Sequence, residues 1–327
     1  MTTVSFPGLG IEEFTLDPAA ISFGESFSIH WYGILIAIGI ALAFLYAFYR
    51  SRFEGIKFDD LLDVTLFTVV FAVIGARLFY VMFAPSEFKS FLDVIAIWSG
   101  GLAIYGAVIA GAITIAVVCR IKKISTLKVL DFAAPAVMIG QIIGRWSNFF
   151  NGEAYGMIVS EDSPLYFLRM GISPHVFEDI KGLAYVHPTF LYESLWNLVG
   201  FLIIHFLYKK KKFDGQIVLM YITWYGFGRM LIEGLRMDSL TLGVFRVSQV
   251  IGFICFVAGA VTLIYKLAKA YRKKKDGEDY APTYKKMSNP ASLFMSDDAN
   301  DEYTPAFSIK NNEKETEPDN EEEDENG

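Results

Sequence analysis

Apolar runs of bilayer length recur along this chain of 327 residues and constrain its fold more than any other feature. A run of about 20 apolar residues crosses the hydrocarbon core of a bilayer as a helix. A helix satisfies all its backbone hydrogen bonds internally, as hydrocarbon requires. We place seven such runs, at residues 29–49, 61–83, 99–119, 127–148, 187–208, 216–236 and 246–267. The sequence therefore predicts an all-α, polytopic membrane protein with seven transmembrane helices.

Basic residues in the connecting loops orient this predicted bundle. The loops after the first, third, fifth and seventh runs are rich in lysine and arginine, as in the KKKK stretch at 209–212. The opposite loops are poor in both, since 84–98 contains only Lys89 and 149–186 contains only Arg169 and Lys181. Basic loops stay on the cytoplasmic side, so we predict an external N-terminus and a cytoplasmic C-terminus.

Composition divides the chain into three regions. Residues 1–28 lack the basic flank and apolar core of a signal peptide and are predicted to form an external cap. Residues 29–267 form the transmembrane domain, whose outer loop 149–186 is long enough to act as a lid or recognition surface. Residues 268–327 comprise a basic juxtamembrane segment and an acidic tail. Within the tail, 276–327 carries 16 Asp or Glu and 4 Lys, a composition typical of a disordered cytoplasmic extension.

Several functional classes find no support in the sequence. It contains no zinc-ligand spacing, no phosphate-binding loop and no separate soluble domain. The basic clusters match the loop orientation and lack interleaved aromatic residues, which argues against nucleic-acid binding. Cys119 and Cys255 lie in or beside apolar runs and assign no redox compartment. The sequence gives no oligomeric state.

Four arginines lie in the second, fourth and sixth apolar runs, where a charged side chain is costly. They are Arg77 in the second run, Arg145 in the fourth, and Arg229 and Arg236 in the sixth. With a helical rise of about 1.5 Å per residue, all four fall in the outer half of the membrane, away from the basic loops. In the fourth run Asp131, Ala134, Met138, Gln141, Arg145 and Asn148 follow three- and four-residue spacing and share one helix face.

Two explanations account for these arginines. The first is internal pairing, of Arg229 or Arg236 with Glu233, and of Arg77 with Asp131 or a backbone carbonyl. The second is an anionic ligand, because four arginines share few obvious intramembrane carboxylates. A phospholipid head group fits best, since its phosphate matches the planar guanidinium fork.

Three further motifs lie at the ends of apolar runs. In HWYG, Trp31 is predicted to be an interfacial anchor beside Tyr32. In SGGLAIYGAVIAGA, the glycines are typical either of close helix packing or of ligand approach, and Tyr105 among them has room to face a cavity. In HPTFLYES, His187 lies at the outer edge, whereas Glu193 lies inside the apolar run.

The motif GRWSNFFNGEAYG at 144–156 closely resembles the signature of the phosphatidylglycerol–prolipoprotein diacylglyceryl transferases. HWYG, GARLFY, SGGLAIYGAVIAG, DFAAP, HPTFLYES and GRMLIEGLR also resemble elements of that family, in the same order. The resemblance covers residues 24–267. It implies a bacterial cell-membrane enzyme with its site toward the outer leaflet. Such an enzyme transfers the diacylglyceryl group of phosphatidylglycerol to the lipobox cysteine of prolipoproteins and releases glycerol phosphate. Its implied partners are these two substrates and membrane lipids, with no metal, nucleotide or other cofactor.

The resemblance also assigns roles to residues. The family's lipid-binding and essential positions fall on Tyr32, Arg145, Asn148, Gly156, Tyr225, Arg229, Glu233 and Arg236. Together with the residues discussed above, this predicts a catalytic set of Arg145, Arg229, Tyr105, Asn148 and Glu233. The predicted substrate-binding set is Arg145, Tyr32, Arg77, Asn151, Glu153, Gly156, His187, Tyr225 and Arg236. The family's glycine before Asn148 is Ser147 here, and the histidine that many members place after the third-run glycines is Tyr105.

The implied reaction needs a thiolate nucleophile and a stabilised phosphate leaving group. A free cysteine with a pKa of about 8.5 is mostly protonated at neutral pH, so a base or a positive field would help to form the thiolate. Tyr105, His187, His30 and water remain open as bases, and we expect Tyr105 mainly to orient the lipid or thiol. The alternative functions are a phospholipid or anion transporter and a lipid-sensing scaffold. The chain shows no convincing inverted repeat, which disfavours the transporter.

Overall fold

The computed structural model describes residues 2–23, 27–88, 90–97, 100–173, 183–237, 241–243 and 245–275. The predictions for the acidic tail 276–327, and for residues 174–182 of the outer loop, lie outside the described residues. The helices are α1 (Trp31–Phe53), α2 (Phe58–Phe83), α3 (Phe91–Ile95), α4 (Ile104–Lys122), α5 (Thr126–Asn151), α6 (Thr189–Leu207), α7 (Gln216–Ile232) and α8 (Val247–Lys275).

Six of these helices are long and apolar enough to cross a membrane, which confirms a polytopic membrane protein. They are α1, α2, α4, α5, α6 and α8. Helix α7 corresponds to the sixth predicted run but has only 17 residues, because a 3-10 turn over Glu233–Leu235 replaces its last predicted turn. The predicted third run began at residue 99, whereas α4 begins at Ile104.

Short strands accompany the helices, and the all-α prediction missed them. They are β1 (Thr2–Phe6), β2 (Ile11–Leu16), β3 (Ala19–Phe23), β4 (Phe27–His30), β5 (Met170–Ile172), β6 (Ala184–Val186), β7 (Thr241–Leu242) and β8 (Phe245–Arg246). Four of them form an antiparallel sheet in the order β2-β1-β5-β6, while β3 pairs with β4 and β7 with β8. The predicted N-terminal cap and the predicted outer loop therefore form one structural unit.

An apolar core attaches the four-stranded sheet to the helices. Val4 of β1 and Val186 of β6 are buried in this core, and Phe149, Phe150 and Phe190 pack with them. The phenylalanines belong to the end of α5 and the start of α6. The sheet thus covers the helix ends at which Arg145 and Glu193 lie.

Glycines permit close packing between neighbouring helices. Helix α2 packs on α4 where Gly75 meets Gly106, and a Cβ at Gly106 would overlap the backbone of Gly75. Helix α7 packs on α8 through Gly226 and Gly252, and a Cβ at Gly226 would lie 2.7 Å from the Gly252 carbonyl oxygen. Of the two explanations for the glycines around Tyr105, the structure favours helix packing for Gly106.

A buried charge cluster fixes the far end of α6, opposite the sheet. Lys211, in the connection to α7, lies 2.7 Å from Glu54 and 3.1 Å from Asp131. Asp131 also accepts hydrogen bonds from the backbone N–H groups of Gly215 and Ile217 at the start of α7. Carboxylate acceptors satisfy the exposed N–H groups that begin a helix. Asp131 therefore anchors α7 and does not pair with Arg77.

Candidate active site

Glu193 is the centre of the arginine cluster. It lies in the second turn of α6 and is 5% exposed. Its carboxylate lies 2.5 Å from a guanidinium nitrogen of Arg145, 3.1 Å from Arg229 and 3.2 Å from Arg236. One buried carboxylate from α6 thus holds three arginines, one from α5 and two from α7 and the turn that follows it.

A second carboxylate leaves the cluster with a positive formal charge. Glu233, one helical turn after Arg229, lies 2.8 Å from the Arg229 Nη2 atom. The 3-10 turn that begins at Glu233 brings Arg236 back to Glu193. Three guanidinium groups and two carboxylates give this ion-paired set a formal charge of +1. A site of this charge, with three planar guanidinium groups as donors, favours a monoanionic ligand.

The GRWSNFFNGE motif closes on itself beside this cluster. Gly152 ends α5 with a φ of 64°, a left-handed conformation that glycine adopts readily. The turn brings Glu153 back, so that its Oε1 atom accepts hydrogen bonds from Asn148 at 3.1 Å and Asn151 at 3.2 Å. The other amide atom of Asn148, Oδ1, lies 3.5 Å from Arg145 Nη1. These contacts orient the Asn148 amide toward Arg145.

Gly156 joins three segments at the site. Its N–H donates to the His187 carbonyl at 2.8 Å, and its backbone forms a β-bridge with Arg236. A Cβ at this position would lie 2.7 Å from the His187 Cβ and 2.8 Å from the Leu235 carbonyl oxygen. The structure therefore explains this glycine by close backbone packing, which holds Arg236 beside Glu193.

His187 precedes α6 and is buried, with 7% exposure. Its Nδ1 atom lies within hydrogen-bonding distance of the Tyr192 hydroxyl, at 3.3 Å. Burial lowers the pKa of the imidazole below its ordinary value. His187 is therefore neutral at neutral pH and adds no charge to the cluster.

Two tyrosines extend the site toward α4 and α8. The Tyr105 hydroxyl forms a 2.8 Å hydrogen bond with the Ser248 hydroxyl at the start of α8. Tyr225 lies on α7 one turn before Arg229, within electrostatic reach of Arg145, Arg229 and Tyr105. Tyr32, in the first turn of α1, is 48% exposed. The structure thus brings Tyr225 to the arginines and Tyr105 within electrostatic reach of Tyr225, and it leaves Tyr32 at the surface.

Arg77 lies in a different environment from the other three arginines. Its guanidinium donates to the backbone carbonyls of Asp93, Val94, Gly100 and Gly101, at 2.5–3.0 Å. The group also lies over the ring of Phe88, 5.0 Å from its centroid. Of the partners considered for Arg77, the backbone carbonyl is the one observed. The side chain holds the segment between α2 and α4, and its predicted contact with substrate remains a prediction.

Comparison with known proteins bears on this arrangement. Residues 18–265 match the family described as prolipoprotein diacylglyceryl transferase. The chain belongs to this family. With its six apolar helices, it is accordingly a multi-pass bacterial membrane protein.

Relatives within the transferase family are similar over most of their length. The chain is 44% identical over 254 residues to a phosphatidylglycerol–prolipoprotein diacylglyceryl transferase of Streptococcus equi subsp. zooepidemicus, covering 77% of this chain and 95% of the relative. It is 41% identical over 262 residues to the enzyme of that name from Clostridium kluyveri, covering 79% of this chain and 99% of the relative. The Streptococcus uberis enzyme of that name is also 41% identical, over 254 residues.

The structure adds two residues to those predicted for a transferase site. Glu193 is a carboxylate inside an apolar run of the sequence and lies outside the predicted site set. Arg246, at the end of β8, donates a hydrogen bond to the Glu233 carbonyl, a contact that the sequence does not indicate. Only the position of Glu193 inside an apolar run signalled a buried partner.

Proposed function

We propose that this protein transfers the diacylglyceryl group of phosphatidylglycerol to the lipobox cysteine of prolipoproteins, and that the arginines around Glu193 bind the lipid phosphate. The observation that carries this assignment is the ion-paired set of three arginines and two glutamates, which has a formal charge of +1. The phosphodiester of phosphatidylglycerol is a monoanion. The relatives are named for this reaction, and the cluster has the charge and donors that its lipid substrate requires.

The movement of negative charge during the reaction also suits a cluster of arginines. The cysteine thiolate forms a C–S bond with the diacylglyceryl carbon that carries the phosphate oxygen, and the C–O bond breaks with its electron pair on that oxygen. The negative charge of the thiolate thus moves onto the glycerol phosphate, which leaves as a dianion. Arg145 and Arg229 both contact the Oε2 atom of Glu193, and from this position they stabilise the growing charge.

Thiol ionisation transfers a proton to an acceptor, either water or a protein base, and a positive field makes that transfer more favourable. The arginine cluster supplies the field, which lowers the free energy of the thiolate relative to the thiol. Tyr105 uses its hydroxyl in a bond to Ser248, which suits a residue that orients the lipid or thiol. Neutral His187 remains the alternative acceptor.

An apolar cavity beside the cluster offers room for an acyl chain. Its volume is about 430 Å³, and α1, α2, α4 and α5 line it. Gln141 of α5, one helical turn from Arg145, contributes to its wall, as do Ala133 and Ala43. A lipid bound by its phosphate at Arg145 thus has an apolar space one turn away.

The proposed topology has seven crossing helices, namely the six long apolar helices and the shorter α7. The N-terminus is external and the C-terminus is cytoplasmic. Two features support it. The basic residues of the 209–212 stretch lie at the far end of α6 from the arginine cluster. The 3-10 turn after Ile232 extends the reach of α7 toward the sheet. In this orientation the site faces the outer leaflet.

A covalent transfer assay tests the proposed function. Detergent-purified protein is incubated with phosphatidylglycerol and a lipobox peptide, and the peptide mass is measured. We expect a gain of one diacylglyceryl group with release of one glycerol phosphate. Lipid redistribution between the leaflets of proteoliposomes without covalent product would instead support the transporter.

A further inference from the structure

A reciprocal contact between two tryptophans joins α6 to α7. The indole N–H of Trp196 donates to the Trp224 carbonyl at 3.1 Å, and the indole N–H of Trp224 donates to the Trp196 carbonyl at 2.9 Å. The two rings stack with centroids 4.4 Å apart and an interplanar angle of 19°. We call this pair the tryptophan clasp.

Two glycines make the clasp possible. Gly200 follows Trp196 by four residues and Gly228 follows Trp224 by four, so each glycine donates its helical N–H to the carbonyl that the opposite indole also reaches. A Cβ at Gly228 would overlap the Trp196 ring, and a Cβ at Gly200 would overlap the Trp224 ring. The repeated W-x-x-x-G pattern on antiparallel helices therefore fits a single axial alignment of α6 and α7.

The clasp lies directly beside the ion pair of the proposed phosphate site. Glu193 is one helical turn before Trp196, and Arg229 follows Gly228 directly. The connection between α6 and α7, which Lys211 anchors, begins after Leu207, about 21 Å along α6 from Glu193. Both the tryptophan clasp and the connection anchored by Lys211 constrain the alignment of α6 and α7. The clasp is the nearer of the two to Glu193 and Arg229.

We propose that Trp196 and Trp224 are positioning residues that set the axial register of α7 against α6 and so hold Arg229 at Glu193. This inference rests on the proposed function, because Arg229 acts on substrate only if the cluster binds the lipid phosphate. The tryptophans themselves act through the arginine. Displacement of a catalytic group by about 1 Å is enough to lower a rate about 100-fold, so the loss of register reduces turnover.

The test separates the hydrogen bonds from the bulk of the rings. Trp196 is replaced by β-(3-benzothienyl)alanine, a sulfur isostere that keeps the ring shape and lacks the N–H donor. Trp196→Phe removes the indole as well, and Gly228→Ala blocks the approach of the ring. Gly111→Ala is the matched control, because a Cβ there makes only an ordinary 3.6 Å contact with Thr68.

For the isostere we expect kcat for transfer to fall about tenfold, with KM for phosphatidylglycerol within about twofold of the wild-type value. For Gly228→Ala we expect kcat to fall about 100-fold. Wild-type protein should show an exciton couplet in circular dichroism that Trp196→Phe abolishes. The Gly111→Ala control should keep wild-type kcat.

Three results would overturn the proposal: no couplet in the wild type, isostere kcat within twofold of wild type, or variants that lose only thermal stability. If the phenylalanine variant does not accumulate, the isostere decides. A wild-type protein that transfers no lipid would refute the proposed function instead, so the two failures are distinguishable.

Discussion

Replacing Glu193 by glutamine should disable the site while leaving lipid binding intact. The substitution keeps the shape of the side chain and removes the charge that holds Arg145, Arg229 and Arg236 together. The formal charge of the ion-paired set rises from +1 to +2, so an anionic lipid is still attracted. The three guanidinium groups, however, then repel one another.

The structure sets the expected size of this effect. Removing the charge of one partner from a buried ion pair costs about 3–5 kcal/mol, because the remaining charges stay buried without compensation. The three arginine side chains are 11–22% exposed, and water offsets part of this loss. We expect a stability loss of about 3 kcal/mol, near the lower end for breaking a buried ion pair. Displaced arginines should lower kcat about 100-fold.

The measurement is steady-state transfer of diacylglyceryl to a lipobox peptide, with variant and wild-type protein at equal folded concentration. We expect kcat to fall and KM for phosphatidylglycerol to stay equal or decrease. Glu161→Gln, at an exposed loop position, is the matched control and should behave as wild type. A Glu193→Gln enzyme with normal kcat would refute the role of this carboxylate as the organiser of the arginines.

Four further substitutions or deletions test other parts of the account in the same assay. Arg145→Lys keeps the charge and loses the bidentate fork, so kcat/KM should fall about 100-fold, while Arg120→Lys, at an exposed position, should not change it. Normal turnover by the Arg145 variant would contradict its role. Tyr105→Phe should lower kcat by less than about tenfold, because removing a general base would lower it more. Tyr105→His should stay active. Near-complete loss in Tyr105→Phe, with a wild-type activity rise that follows a tyrosine ionisation, would instead identify Tyr105 as the base. Deleting residues 276–327 should leave transfer unchanged, and a stable but inactive truncation would disprove that. Ala133→Phe should reduce transfer from long-chain phosphatidylglycerol more than from the dioctanoyl lipid, whereas an equal reduction would exclude an acyl chain from the cavity.

Local spacing is enough to predict part of the site. Arg229 lies in the last turn of α7 and Glu233 is the C-cap residue four positions later, and their spacing predicts Glu233 as a possible partner. Asn148 follows Arg145 by three residues, and the glycine after Asn151 indicates the helix end that returns Glu153 to the asparagines. Each of these contacts forms within one helix or its cap, where residue spacing determines distance.

Contacts between distant segments could not be predicted in this way. Glu193 meets Arg145 only because α6 packs on α5, and no local pattern encodes that packing. The carbonyls around Arg77 depend on the path of the chain through residues 93–101. Strand β1 pairs with β5 although 168 residues separate Val4 from Ile172, so local sequence patterns did not predict the sheet. The tryptophan clasp is different, because its repeated W-x-x-x-G spacing is visible in the sequence.

The most direct test of the central claim is the location of the phosphatidylglycerol head group on the protein. Phosphatidylglycerol with a diazirine on its head-group glycerol is bound to the purified enzyme, photolysed, and the labelled peptides are identified by mass spectrometry. We predict labels in residues 145–156, 187–193 and 225–236, and their loss when excess unmodified phosphatidylglycerol competes. Competed labelling confined to the pocket around Lys266 and Lys269, at the opposite end of the bundle, would contradict the arginine cluster as the phosphate site.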